Sequence, residues 1–512
     1  MEKHENTVFL TETRGADTYV SSSGEYILPD YNPDIRKILF TDCQLKPSGR
    51  LESDEQIDFA GVVEYKCIYT DKDGAVSCLN FTSDYEYSLP ISEELPDAQS
   101  TPTVQGYQIR VLGPRKISAK ASLLCENIYT GEKKCAREGA TLDGAELLYD
   151  KIKTARIKSF ESEEREIAGE IAHLEGVTLD EAEALTSLCE CGETAITREG
   201  DKLKAKTSVF VKMLYRDATG CVVPLFSEIT SEGELDISGV PEGASVLCTP
   251  QLLSERCECL PTEDGVSVVA DLILKWDAIC AFNEEHEVIS DGYCTECESA
   301  AEYETLSYES VCEPICIELS AEGKITPEAA AGAKIKEVLC IGISPKISEK
   351  SVSGGQLNLV LDLKMQGIIA YAFDDGKVSE VSVKFNESID KKVKLSSDFE
   401  DIICDTVKIH DCKISQKIDG DDIKYSVSAR AYILPALRKS VRLLTSLEKE
   451  EERRVERSVG RVTVYYTEPC DTLFSVAKKY STTVSRLAED NEISAAASVG
   501  SDEKLPKRLI IY

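Results

Sequence analysis

The sequence predicts a mainly β protein, with three tandem β-sandwich or barrel-like domains followed by a small βααβ module. Two observations predict it. One hairpin pattern recurs three times at domain-length spacing, and the final segment changes from period-two alternation to helical spacing and back.

The hairpin comes first. The segments 61–76, 207–222 and 362–378 align on Tyr69, Tyr215 and Tyr371. Each tyrosine is followed five residues later by glycine (Gly74, Gly220, Gly376), seven later by valine (Val76, Val222, Val378) and ten later by Leu79, Leu225 or Val381. Cys67, Met213 and Ile369 lie two residues before the tyrosines, whereas the next position back is Lys66 or Lys212 in the first two copies. That alternation predicts strands with one buried and one wet face. The Asp-rich segment with its glycine predicts the hairpin turn, because glycine supplies the positive φ that tight hairpin loops require. Spacings of 146 and 156 residues between the tyrosines make the repeat a whole domain rather than a solenoid unit.

Further strands are predicted at 115–131, 265–282 and 423–436, from alternation and β-branched content. The segments 161–172 and 180–188 read as helix or connector, and 447–461 as a charge-dense linker. The expected domains are 1–160, 161–318 and 319–446, then the linker, then the module at 462–512.

In that module Val462, Val464 and Tyr466 alternate as a strand. Asp471 and Thr472 offer side-chain oxygens to cap a helix that buries Leu473, Val476, Ala477 and Tyr480 on one face. A second helix opens at Thr482 or Thr483, buries Val484 and Leu487, and stops at Asn491. The pattern of Tyr466, Pro469, Asp471, Thr472, Leu473, Ala477, Tyr480 and Asn491 resembles the LysM domain. That resemblance implies binding of N-acetylglucosamine polymers, such as peptidoglycan or its lipid-linked precursor, in a groove of Cys470, Asp471, Thr472 and Leu473 facing Asn491, Glu492 and Ile493. Cys470 stands where the family has glycine, and its side chain narrows such a groove. Docking onto protein is the other use of the module.

A second resemblance lies near the other end. Leu28, Pro29, Pro33, Asp34, Ile35 and Leu39 match the Leu-Pro-x-x-x-Pro-Asp-Ile signature of the SPOCS domain family, and Arg115–Ile117 and the hairpins are similar to it too. Tandem SPOCS-type domains with a terminal LysM module are similar in arrangement to clostridial spore-coat morphogenetic proteins. The resemblance implies a scaffold on the forespore surface, in the mother-cell cytoplasm, with a coat-anchoring ATPase of the SpoIVA type and other coat proteins as partners.

Composition narrows the alternatives. With 92 acidic and 58 basic residues the formal charge is −34, which disfavours nucleic acid and anionic membrane as partners. The first residues hold no apolar run longer than Val8–Leu10, and no charge-free stretch spans a bilayer, so no export signal and no transmembrane segment are expected. The four histidines (His4, His173, His286, His410) sit near no nucleophile motif, and phosphate-loop and dinucleotide fingerprints are absent from the sequence. A non-enzymatic protein without cofactor is expected. Most of the 20 cysteines read as reduced core residues. Cys294, Cys297, Cys312 and Cys316 have spacing that a zinc site could use, but the strand-like context of the second pair favours packing.

Overall fold

The computed structural model describes residues 7–93, 95–135, 145–328, 333–374, 377–395, 402–454, 462–493 and 505–512. Its first copy comprises β1 (Thr7–Arg14), β2 (Thr18–Ile27), β3 (Lys37–Glu52), β4 (Gln56–Thr70), β5 (Val76–Pro90), β6 (Asp97–Gly113) and β7 (Lys116–Cys135). The second runs through β8 (Ala145–Glu161), β9 (Arg165–Glu175), β10 (Glu183–Glu199), β11 (Lys202–Arg216), β12 (Val222–Asp236), β13 (Ser245–Pro261) and β14 (Gly265–Cys294). The third has β15 (Cys297–Val311), β16 (Ile315–Ile325), β17 (Ala333–Ser353), β18 (Gln356–Phe373), β19 (Val378–Lys394), β20 (Ile402–Asp419) and β21 (Asp422–Arg454).

All three copies are wired alike. Strands three, four and five form an antiparallel meander, as in β3-β4-β5. The long seventh strand pairs with the sixth on one edge, and on the other with the second and then the first. At each change of partner the incoming chain is tied on by one backbone bond. Gly15 donates to the Asn127 carbonyl at 2.9 Å, Ser162 to Trp276 at 2.9 Å and Cys312 to Pro435 at 2.8 Å. The meander faces the second sheet across a shared core, with Tyr65, Cys67 and Tyr69 of β4 against Ile117, Ala119 and Leu123 of β7 in the first copy.

The hairpin turns form as expected. Asp71 Oδ1 accepts from the N–H groups of Asp73 and Ala75, Asp217 Oδ1 does the same for Thr219 and Cys221, and Gly74 and Gly220 have φ of 91° and 82°. Gly376 lies outside the described residues.

Four expectations are corrected. Strand pairing divides the copies between Cys135 and Ala145 and between Cys294 and Cys297, not after 160 and 318, because β8 pairs with β14, and β15 and β16 with β21. Segments 161–172 and 180–188 are largely strand, as β9 and β10, with one 3-10 turn at Leu179–Glu181. Half-buried Ile167, Gly169 and Ile171 alternate with exposed Glu166, Ala168 and Glu170 along the ladder to β14, a two-residue period that a helix would break. The charged segment is strand as far as Arg454, since Leu447 is buried and the ladder to β15 continues through it; the rest of that linker, 455–461, lies outside the described residues.

The fourth correction concerns the wet face of the hairpins. Ile68, Leu214 and Ala370, each one residue before an aligned tyrosine, meet in one apolar cluster. Val76 and Val222 join them, with Leu39 and Phe40 of the first copy and Leu339, Cys340 and Ile368 of the third. Contacts run cyclically: β5 touches β10, β12 touches β17, and β19 touches β3. The fifth strand of each copy thus meets the third strand of the next, and the three copies close into a pseudo-threefold ring around their outer hairpin faces. Polar ties cross each seam. Lys66 pairs with Glu255 and donates to the Ser187 carbonyl, Arg430 pairs with Glu193, and Lys408 lies 3.2 Å from Glu126. Gln366 Nε2 donates to the Leu39 carbonyl at 3.1 Å while its Oε1 accepts from Thr41 at 3.2 Å.

Candidate functional site

The terminal module has the expected order: β22 (Thr463–Tyr466), α1 (Leu473–Lys479), α2 (Val484–Asp490) and β23 (Arg508–Ile511), with the two strands antiparallel. Leu473, Phe474, Val476, Ala477, Leu487, Ala488, Leu509 and Ile511 make its core. Thr472 is the N-cap of α1. Its Oγ1 accepts from the Ser475 N–H at 3.1 Å, and Ser475 Oγ accepts from the Thr472 N–H at 2.9 Å, a reciprocal capping box. Thr483 Oγ1 caps α2 through the Arg486 N–H at 3.1 Å.

The expected groove residues divide by role. Leu473 is buried in the module core, and Ile493 is half-buried against it. Asp471 is held inward, with Oδ2 accepting from the Tyr465 hydroxyl at 2.9 Å and the Glu468 N–H at 2.7 Å. The Asn491 amide joins α2 to β23: its Nδ2 donates to the carbonyls of Leu487 (2.9 Å) and Ile510 (2.7 Å), and its Oδ1 accepts from the Ile510 N–H at 2.6 Å. Cys470, Thr472 and Glu492 are the exposed members. Asp471 and Asn491 therefore hold the two loops in place, and a ligand there would meet backbone groups and the three exposed side chains. Asn491→Ala is expected to destabilise the module by about 1–3 kcal/mol, because it removes partners from backbone groups on two elements. Urea unfolding followed by hydrogen exchange within 473–490 checks this, and Cys470→Gly, at an exposed position, should leave that stability within about 0.5 kcal/mol.

A second set of residues, which sequence reasoning missed, fixes the module on the β body. Tyr293 near the end of β14 packs edge-on against Phe474, with ring centroids 5.2 Å apart, and donates from its hydroxyl to the Thr482 carbonyl at 2.7 Å. Lys478 Nζ lies 2.6 and 2.7 Å from the two oxygens of Asp291, and Asp291 Oδ1 also accepts from the Tyr303 hydroxyl at 2.5 Å. These partners are 175–189 residues apart, and no local pattern marks them. Burial pushes the Asp291 carboxyl upward, but the bonds from Lys478, Tyr303 and the Gly292 N–H outweigh it and hold the pKa below the ordinary aspartate value. The unfolded carboxyl titrates near about 3.9. The stabilisation is therefore present above that pH and is lost as pH falls through the lower folded value. Hydrogen exchange in 473–482, corrected for intrinsic rates, should rise in acid below about pH 4, and Asp291→Asn should show raised exchange already at neutral pH.

The thiols do not assemble. Cys294 and Cys297 are buried side by side between β14 and β15, but β15 separates Cys297 from Cys312 by 15 residues of strand. At about 3.3 Å per residue that is on the order of 40–50 Å, far beyond any shared coordination sphere. Among the described residues no group of three or more Cys, His, Asp or Glu side chains is placed to hold a metal. No helix among them is long and apolar enough to cross a membrane.

With this geometry in hand, the LysM domain model matches residues 467–499. The chain carries a LysM domain. No curated protein and no solved structure matches the chain. The β ring is thus described by its own topology.

Proposed function

We propose that the protein is a non-enzymatic scaffold of the spore coat or envelope, in which the closed β ring holds its LysM domain in a fixed pose for docking to another protein. The observation that carries this reading is the two-sidedness of the domain. One side is fastened to β14 and β15 through Tyr293, Asp291 and Tyr303, whereas the outer face of β22 and β23 presents Val464, Tyr466 and Ile510, with Val462 and Tyr512 beside them, all substantially exposed. An apolar strip of that kind suits a protein surface better than a sugar polymer's hydroxyls. The SPOCS-type signature at 28–39 extends the proposal to a coat-anchoring ATPase of the SpoIVA type as the partner, to other coat proteins on the β ring, and to the forespore surface on the mother-cell side as the location.

A second reading follows from the LysM match itself: binding of peptidoglycan or its precursor through N-acetylglucosamine units. The two separate in one experiment. Full-length protein and its Tyr466→Ser variant are mixed in parallel with a purified coat ATPase and with purified peptidoglycan. Retention of the ATPase by the parent and its loss in the variant supports the scaffold. Cosedimentation with glycan that is indifferent to Tyr466→Ser, without ATPase retention, overturns the scaffold reading in favour of the glycan one.

A further inference from the structure

The seams of the ring leave a cleft that neither reading of the LysM domain uses. Between the second and third copies lies a cleft of about 790 Å³, and between the first and third one of about 420 Å³. Both are lined by Leu188 and Glu190 of β10, so they run together past that strand. Five lysines open onto the joint cleft: Lys212 and Lys413 on one side, Lys346, Lys364 and Lys384 on the other. None has a carboxylate within ion-pair distance among the described residues. Five lysines against three carboxylates give the joint lining a formal excess of positive charge, in a chain of net charge −34.

The cleft is also aromatic. Phe226 is 57% and Phe210 38% exposed on the outer face of the second meander. Lys212 Nζ stands 5.3 Å from the Phe226 ring centroid and Lys413 Nζ 5.5 Å from that of Phe210. Three acids share the lining: Asp42, Glu190 and Glu228. Burial raises the pKa of the first two. Unpaired ammonium groups beside exposed rings call for a ligand with carboxylates and apolar side chains on one backbone. A polysaccharide lacks the apolar side chains, and an acidic polypeptide has both features.

We propose that this cleft binds an extended acidic segment of a protein partner, whose carboxylates meet the five lysines and whose aromatic or aliphatic side chains settle against Phe210 and Phe226. The site is separate from the LysM domain and stands whether or not that domain docks a protein.

The test uses the full chain and a fluorescently labelled dodecapeptide of alternating Glu and Phe, read by anisotropy at low and high salt. An alternating Glu-Ser peptide and an alternating Lys-Phe peptide serve as controls. Expected are saturable binding of the Glu-Phe peptide, binding at least about tenfold weaker for both controls, and a marked loss at high salt. Lys384→Gln with Lys413→Gln, and separately Phe226→Ser, should each weaken it about tenfold with the melting temperature unchanged, since all three side chains are exposed or half-exposed. Should a variant melt early, competition of the unlabelled Glu-Phe peptide against the labelled one on the parent protein, with and without excess Glu-Ser peptide, decides the same question. Absence of saturable binding, equal affinity for Glu-Phe and Glu-Ser peptides, undiminished binding by folded variants, or displacement of the peptide by chitohexaose each overturns the proposal.

Discussion

Lys66→Met should destabilise the protein by about 3–5 kcal/mol, a loss far larger than that of an ordinary surface lysine. Lys66 is 8% exposed, and its ammonium group bridges two copies by pairing with Glu255 and donating to the Ser187 carbonyl. Burial alone would lower its pKa, but the charge of Glu255 and the bond to it outweigh this and raise it. Removing the lysine leaves the Glu255 carboxylate buried without a counter-charge, beside Asp42, whose own carboxyl is already pushed upward by burial. The double replacement Lys66→Met with Glu255→Leu should recover most of the loss, because both desolvation costs vanish together. Urea unfolding of the two single variants and the double variant gives the cycle. A Lys66→Met loss under about 1 kcal/mol would show that water reaches the pair and that this seam is open in solution.

Trp276→Ala should cost about 3–5 kcal/mol through a different mechanism, the loss of packed volume inside one copy. Trp276 is fully buried at the point where β14 exchanges β9 for β8, and its indole N–H donates to Thr207 Oγ1 at 2.9 Å. The ring lies directly over Gly233, where an added Cβ would sit 2.3 Å from a ring carbon, so β12 and the tryptophan are fitted to each other. Trp276→Phe keeps much of the volume and loses the hydrogen bond. Thr207 retains Thr194 at 2.8 Å as a neighbour, so this milder variant should lose clearly less than the alanine one. Equal losses from Phe and Ala would mean that the hydrogen bond, rather than the volume, holds the site. Thermal melts at one pH separate the cases.

The contrast between these two residues shows what sequence could and could not convey. The three hairpins, the first two of their turns and the βααβ module were legible because each rests on neighbours within a few tens of residues: period-two alternation, a capping aspartate, a glycine at positive φ. The valine seven residues after each aligned tyrosine was legible as a repeat but not as an interface. Val76 and Val222 face the ring's apolar centre, and nothing local distinguishes a strand face turned to solvent from one turned to a neighbouring domain. Charge misled at 161–172 and 447–454, where exposed strand residues such as Glu166, Glu170, Glu448 and Arg453 imitate a polar helix or a tether. In the candidate groove the structural roles of the residues were not visible in the sequence. Asp471 and Asn491 are consumed by bonds within the domain, whereas Asp291, Tyr293 and Tyr303, which hold the domain in place, lie more than 150 residues before it.

Ring closure also sets a timetable for synthesis. Thr41 meets Gln366 across a sequence separation of 325 residues, and Lys66 waits for a carboxylate 189 residues downstream. At about 5–20 residues per second, the first copy spends roughly 15–65 s with Leu39, Phe40 and Ile68 wet before the third copy is made. During that interval another nascent chain of the same sequence can offer the same complementary faces. Exchange of copies between neighbouring chains on one messenger is then the characteristic assembly error of this architecture, and slow translation near the third meander would promote it.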